Sequence, residues 1–256
     1  MEIFRKMSFA DSTGDAIPFY HEGKYHIFSL TSPPGTTVYP ERLRTTWSHS
    51  ISDDLVHWQE LPTALYPGEG DEPDASGVWT GSVIYGEGQY HAFYTGYCLT
   101  AEFQQTICHA TSDDGITWTK DIANPVITPM TELYEKLDWR DPYVFYNEED
   151  ENYWILISAR RLDMPVTRRG CIVLYRSKNL KDWTYYGPIY SPGHTNCPEC
   201  PEMYKMGGHW YLSYSRFSEF VNTIYRVSES PFGPWRKPKK DGIGGRRFYA
   251  AKTMKN

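Results

Sequence analysis

Three acidic residues stand at matching distances before recurrent aromatic landmarks. Asp15 lies 10 residues before Tyr25, Asp141 lies 12 before Tyr153, and Glu199 lies 11 before Trp210. In the remaining unit the place is taken by Thr80, 10 residues before Tyr90. Asp and Glu together make up 32 of 256 residues, so an acid in three of four equivalent places exceeds what composition alone supplies. Carboxylates gathered in one concave site repel each other and lose hydration, which leaves one holding a proton while another stays ionised. That division suits the cleavage of an acetal: one carboxylic acid protonates the leaving oxygen, and a second attacks carbon or activates water. The alternative for each acid is a turn cap or an arginine partner. Arg140, beside Asp141, is placed to orient a carboxylate that binds hydroxyls. Trp79 and Trp139 adjoin the aligned positions, where an indole either stacks on a sugar face or packs in the core, whereas Trp47 reads as core.

The elements that must carry these residues form a repeat. Gly23-Lys-Tyr-His-Ile-Phe, Gly88-Gln-Tyr-His-Ala-Phe, Glu151-Asn-Tyr-Trp-Ile-Leu and Gly208-His-Trp-Tyr-Leu-Ser recur with landmarks spaced by 65, 63 and 57 residues. A second motif follows each in fixed order: Ser52-Asp-Asp-Leu-Val-His-Trp58, Ser112-Asp-Asp-Gly-Ile-Thr-Trp118, Ser177-Lys-Asn-Leu-Lys-Asp-Trp183 and Ser228-Glu-Ser-Pro-Phe-Gly-Pro-Trp235. Side-chain oxygens of Ser, Asp and Asn bond nearby backbone N–H groups, so this second motif reads as a tight turn. Each unit holds four short strand-like segments, and no stretch shows a capped 3.6-residue period. Four-stranded units repeated around an axis define an all-β protein, a β-propeller. The spacing predicts one catalytic domain over residues 1–256, with blades at about 15–66, 77–128, 138–190 and 196–238. A partial fifth blade is expected at 245–256, opening at Gly245-Arg-Arg-Phe-Tyr-Ala-Ala-Lys252. First residues of the innermost strands point into a central funnel, so Asp15, Asp141 and Glu199 are expected to meet there. An oligomeric partner would fit the open fifth-blade position.

Composition narrows the field. An aromatic share of 16% suits pleated sheet. The net charge of −6 argues against duplex nucleic acid, which demands a basic face. Arg160, Arg161, Arg168 and Arg169 read as a solvated basic loop. No segment approaches the ~20 apolar residues of a membrane span and no leader-like run opens the sequence, so a cytoplasmic protein without a membrane partner is expected. Five cysteines are a sparse and odd set, which argues against a disulfide framework. Cys197-Pro-Glu-Cys200 has metal-ligand spacing without a second pair, so neither a metal nor a cofactor is expected. His26, His91 and His109 fall within predicted strands and read as packed histidines.

Trp139-Arg140-Asp141-Pro142 resembles the Arg-Asp-Pro motif of glycoside hydrolase family 32, and Glu199-Cys200-Pro201-Glu202 is similar to that family's Glu-Cys motif. Trp79-Thr80-Gly81-Ser82 resembles its Phe-Ser-Gly-Ser element. The likeness spans about residues 14–252. It implies a five-bladed propeller, as in the related families 43, 62 and 68, and a retaining hydrolase of terminal β-fructosides or related furanosides. On matching positions it implies Glu199 as general acid/base, Asp141 as the transition-state stabiliser that holds sugar hydroxyls, and Asp15 as nucleophile. Thr13-Gly14-Asp15-Ala16-Ile17-Pro18 departs from the family's Trp-Met-Asn-Asp-Pro-Asn-Gly, so Asp15 is placed by register from Tyr25, with Asp11 as a further candidate. The competing readings are an inverting hydrolase of the arabinosidase or xylosidase type, which shares the propeller, and a non-catalytic sugar-binding propeller. In each the partner is a small carbohydrate.

Overall fold

A computed structural model describes residues 12–217, 220–245 and 247–255. They form four antiparallel sheets, each a meander of four strands in chain order. The first sheet holds β1 (Thr13–His21), β2 (Lys24–Thr31), β3 (Thr46–Ser52) and β4 (Gln59–Leu65). The second holds β5 (Gly77–Gly86), β6 (Gln89–Tyr97), β7 (Gln105–Ser112) and β8 (Thr119–Lys120). The third holds β9 (Arg140–Asn147), β10 (Asn152–Arg160), β11 (Gly170–Ser177) and β12 (Thr184–Tyr190). The fourth holds β13 (Glu199–Met206), β14 (His209–Arg216), β15 (Asn222–Ser228) and β16 (Gly242–Ile243), so its outermost strand lies past the 238 boundary read from the sequence. No described helix is long and apolar enough to cross a membrane.

The chain divides into two compact units: residues up to 127 with the segment from 253, and residues 128–252. In the first unit the core gathers Ile17, Phe28, Trp47, Leu65, Val83 and Tyr94, with Trp118 packed against it. In the second it gathers Trp154, Leu156, Ile172, Met203, Leu212 and Tyr214, with Trp235 packed against it. Sheets covered on both faces need near-continuous apolar central strands, and β10 is buried from Tyr153 to Arg160 for this reason. Trp47 is fully buried.

The Ser…Trp motif is a side-chain-capped turn in every sheet. Ser52 Oγ accepts from the N–H groups of Asp54 and Leu55, and Asp54 Oδ1 accepts from Val56 and His57. Asp114 and Asn179 repeat this on the N–H pairs Ile116/Thr117 and Lys181/Asp182. In the fourth sheet Ser230 takes the role, accepting from Phe232 N–H. Such donors favour the anion, and they hold the Asp114 carboxyl down at about 2.

Within the expected fifth-blade segment, the described residues run beside the fourth sheet. Arg247 N–H donates to Val221 O (3.1 Å), Thr223 N–H to Phe248 O (2.8 Å) and Ala250 N–H to Ser215 Oγ (2.9 Å).

Candidate active site

The first strand of every sheet is interrupted by a β-bulge, and the predicted site residues cluster at these bulges. Opposite Leu30 stand two residues, Gly14 and Asp15; opposite Thr95 stand Trp79 and Thr80. Opposite Ile157 stand Asp141 and Pro142, and opposite Tyr214 stand Cys200 and Pro201. A bulge leaves its extra residue outside the ladder and re-aims the neighbouring side chains. Proline lacks an N–H and fits such an unpaired position, which is why Arg-Asp-Pro and Glu-Cys-Pro each carry one there. Asp141 (φ 58°) and Cys200 (φ 50°) lead their bulges in the left-handed region. Gly81 follows the second bulge, where a Cβ would meet Phe93 O at 2.0 Å, so only glycine lets the strands close again.

This register refines the alignment made by counting back from the aromatic landmarks. Asp15 and Thr80 occupy the second bulge position, Asp141 the first, and Glu199 the last paired residue before the bulge. The three acids are therefore staggered by one residue each instead of sharing a single position.

In the first unit Asp15 and Thr80 are brought together, the Thr80 hydroxyl donating to Asp15 Oδ2. Asp15 is half-buried and Thr80 buried. Thr95, across the bulge, donates its hydroxyl to Thr80 O at 3.0 Å. Trp79 is half-buried, its ring stacked on Tyr97 (4.1 Å between centroids) and its Nε1–H donated to Leu43 O (3.0 Å). Asp11 lies outside the described residues.

In the second unit the Arg140 guanidinium is the centre of charge. It donates to Glu199 Oε1 at 2.6 Å and to Asp138 Oδ1, and its Nε stands 3.8 Å from Asp141 Oδ2. Asp141 Oδ2 accepts the Cys200 N–H at 2.9 Å, so the two motifs are bonded to each other directly. Burial opposes the Arg140 charge, but the Cys197, Asp141, Glu199 and Asp138 neighbours outweigh it and hold the pKa above that of a free arginine. Burial pushes the Cys197 thiol well up, which keeps it protonated and poorly suited to metal binding. Among the described residues no group of three or more His, Cys, Asp or Glu could hold a metal ion.

Two sequence expectations are corrected. Trp139 is fully buried, in contact with Tyr134 and Tyr175, and has no face left for a sugar. Arg160 is not part of a solvated loop: it is 7% exposed, with Nε 2.6 Å from Glu135 Oε2 and a bond to Asn196. Asp138, which binds Arg140, was not singled out by register because it precedes β9. Its signal in the sequence is the run Asp138-Trp-Arg-Asp141, two acids flanking one arginine.

Bulged first strands that carry carboxylates, repeated in four-stranded blades, mark an all-β protein of the propeller class. Residues 15–256 match the "Glycosyl hydrolases family 32 N-terminal domain", and the chain belongs to that family. It is 33% identical over 198 residues to a levanase of Bacillus subtilis, covering 73% of this chain and 26% of that protein. It is 32% identical over 202 residues to a raffinose invertase of Escherichia coli, covering 75% and 39%. Among solved structures, the fructan 1-exohydrolase IIa of Cichorium intybus superposes with a TM-score of 0.73 at 25% identity, covering 89% of this chain and 44% of that one. The exo-inulinase of Aspergillus awamori gives 0.70 at 27% identity, covering 91% and 51%. The chain thus spans between about a quarter and a half of the length of these relatives.

Proposed function

We propose that this protein hydrolyses terminal β-fructosides with retention. Glu199 protonates the leaving oxygen while Asp15 attacks the anomeric carbon, and the carbon–oxygen bond to the leaving sugar breaks as the bond to Asp15 forms. Glu199, now a carboxylate, takes a proton from water. The resulting hydroxide displaces Asp15 and restores both groups. Asp141 holds ring hydroxyls through the transition state, and Thr80 steadies the Asp15 carboxylate. Trp79 offers an aromatic edge to the sugar. The fold is read as a five-bladed propeller, in keeping with the family resemblance. The observation that carries the proposal is the direct bonding of the two family motifs, Arg140 to Glu199 and Asp141 to Cys200. Support also comes from the relatives, whose names mark them as levanase, invertase and fructan exohydrolase.

With sucrose, levan and inulin as substrates, Glu199→Gln and Asp15→Asn should each lower kcat/KM by about 10³-fold or more, with the fold intact by circular dichroism. Unchanged turnover in either variant overturns the role given to that residue. Proton NMR of the first-formed fructose should show the β anomer, and the α anomer would assign inversion. In a liganded crystal structure, retention demands about 5–5.5 Å between the two carboxyl groups.

A further inference from the structure

Glu199 is the near end of a line of charges that leads away from the family motifs. One terminal nitrogen of Arg140 holds Glu199, and the other holds Asp138. The second oxygen of Asp138 lies 3.4 Å from Nε of Arg160. Arg160 is tethered on three further sides: by Glu135, by Asn196 Oδ1, and by the Val166 carbonyl at 3.2 Å. Arg169 closes the far end on Glu135. Asn196 belongs to the segment that feeds β13, and that segment is fixed to the third sheet by Ser158 Oγ on Pro198 O (2.5 Å) and by Gly170 N–H on Thr195 O (3.0 Å). Arg160 is therefore connected to Glu199 by two routes, through the charges of Asp138 and Arg140 and through the backbone that delivers the residue.

We propose that Asp138 and Arg160 are positioning residues that aim and electrostatically tune the Glu199 carboxyl through Arg140; this rests on Glu199 being the proton donor. Arg140 favours the ionised Glu199 carboxylate, and the negative charge of Asp138 on the other arm of the guanidinium opposes it. Arg160, by pairing with Asp138, offsets that opposition. The line is mostly withdrawn from water, with side-chain exposures of 13% for Arg140, 9% for Arg160 and 25% for Asp138, so solvent screens it little. Further groups on this side of the unit, among the described residues, include Asp141 on β9, the protonated Cys197 thiol upstream, and Glu202, buried further along β13 near Tyr143. Ser215, opposite Glu199 on β14, carries no charge.

The test is a pair of variants with opposite expected signs. The Glu199 carboxyl is followed by 13C NMR in protein labelled at the glutamate side-chain carboxyl, with Glu199→Gln assigning the resonance. Asp138→Asn removes a negative charge and should move the titration about one pH unit toward acid; Arg160→Met removes a positive charge and should move it toward alkali by a similar amount. Arg160→Lys, which keeps the charge, should restore the wild-type curve. In turnover, the alkaline limb of kcat/KM should shift in the same directions, with kcat altered and KM for sucrose held. Shifts of the same sign, no shift in the near-isosteric Asp138→Asn, or identical behaviour of the Lys and Met variants would overturn the proposal. The NMR titration reads this coupling without turnover. An inactive wild-type protein would therefore count against the hydrolase reading alone, while the titration still decides the roles of Asp138 and Arg160.

Discussion

In the first unit Asp15 accepts a hydrogen bond from the Thr80 hydroxyl, whereas in the second Glu199, Asp138 and Asp141 gather around the Arg140 guanidinium. Both settings are built on the same backbone device, a bulge in the first strand of a blade. In the first unit Gly14 and Trp79 lead the bulges without a positive φ; in the second Asp141 and Cys200 lead them in the left-handed region. The repeat fixes where side chains emerge, and one or two residue choices at that place decide which donor a carboxylate meets there, the Thr80 hydroxyl or the Arg140 guanidinium. A neutral donor steadies an anion with little desolvation cost. A buried guanidinium does so more strongly, but only while its acid partners remain.

The cores differ in the opposite direction. Phe28 pairs across the strands with His49, which stacks on it at 4.1 Å and bonds His26 Nδ1 at 2.9 Å. His91 and His109 repeat the pair in the second sheet, also at 2.9 Å. At the corresponding register in the third sheet, Leu156 faces Leu174. The first unit thus buries imidazole pairs where that blade of the second unit buries leucine. This makes its stability, and not that of the third sheet's core, sensitive to acid.

Removing the charged centre of the second unit should have the largest effect. Arg140→Met removes the cation that Glu199, Asp138 and Asp141 share and should cost about 3–5 kcal/mol in urea unfolding, while Thr80→Val in the first unit should cost only about 1–3 kcal/mol. Equal losses would erase the contrast between the two settings.

Acid should sharpen the contrast in the cores. Burial lowers His26 to about 4 and His49 to about 3. Below the ordinary value near 6.5 the unfolded chain takes up protons that the folded one refuses. Stability is therefore complete above about pH 6.5, falls as pH drops, and levels off only near 4 and 3. At pH 5 each histidine should account for about 2 kcal/mol of that loss. His49→Leu, which copies Leu174, should flatten the decline between pH 7 and 5 in thermal melts. An unchanged slope would place the acid sensitivity elsewhere.

The smallest effect concerns the turns. Leu55 sits at φ 64° and is 48% exposed, so Leu55→Gly should raise the unfolding midpoint by up to about 1 kcal/mol of stability. Leu180, at φ 60°, is fully buried, and Leu180→Gly should lose more packing than it gains in backbone ease.

The blades were legible in the sequence because each is a local unit. Hairpins such as Lys24–Thr31 on Thr13–His21, and the side-chain-capped turns at Ser52, Ser112, Ser177 and Ser228, use residues close together in the chain, so their signals recur undiluted. Aligning the four units also pointed to the stretches where the bulges fall, at or beside Asp15, Thr80, Asp141 and Glu199. Counting could not see the stagger, because a bulge adds a residue to one strand without any mark in composition. It also missed Asp138 and Arg160, and it left Trp139 open between platform and core. Burial and pairing of those residues are set by what the third sheet and its neighbouring loops bring against them. Residues 135, 138, 140, 160 and 199 become one line of charge only when separate strands and loops fold together. Sequence alone determined the repeat, the turn chemistry and the identity of the acids. Tertiary structure decided which charges share a partner, because electrostatic energy depends on distance and solvent exclusion, and neither is written in the order of the residues.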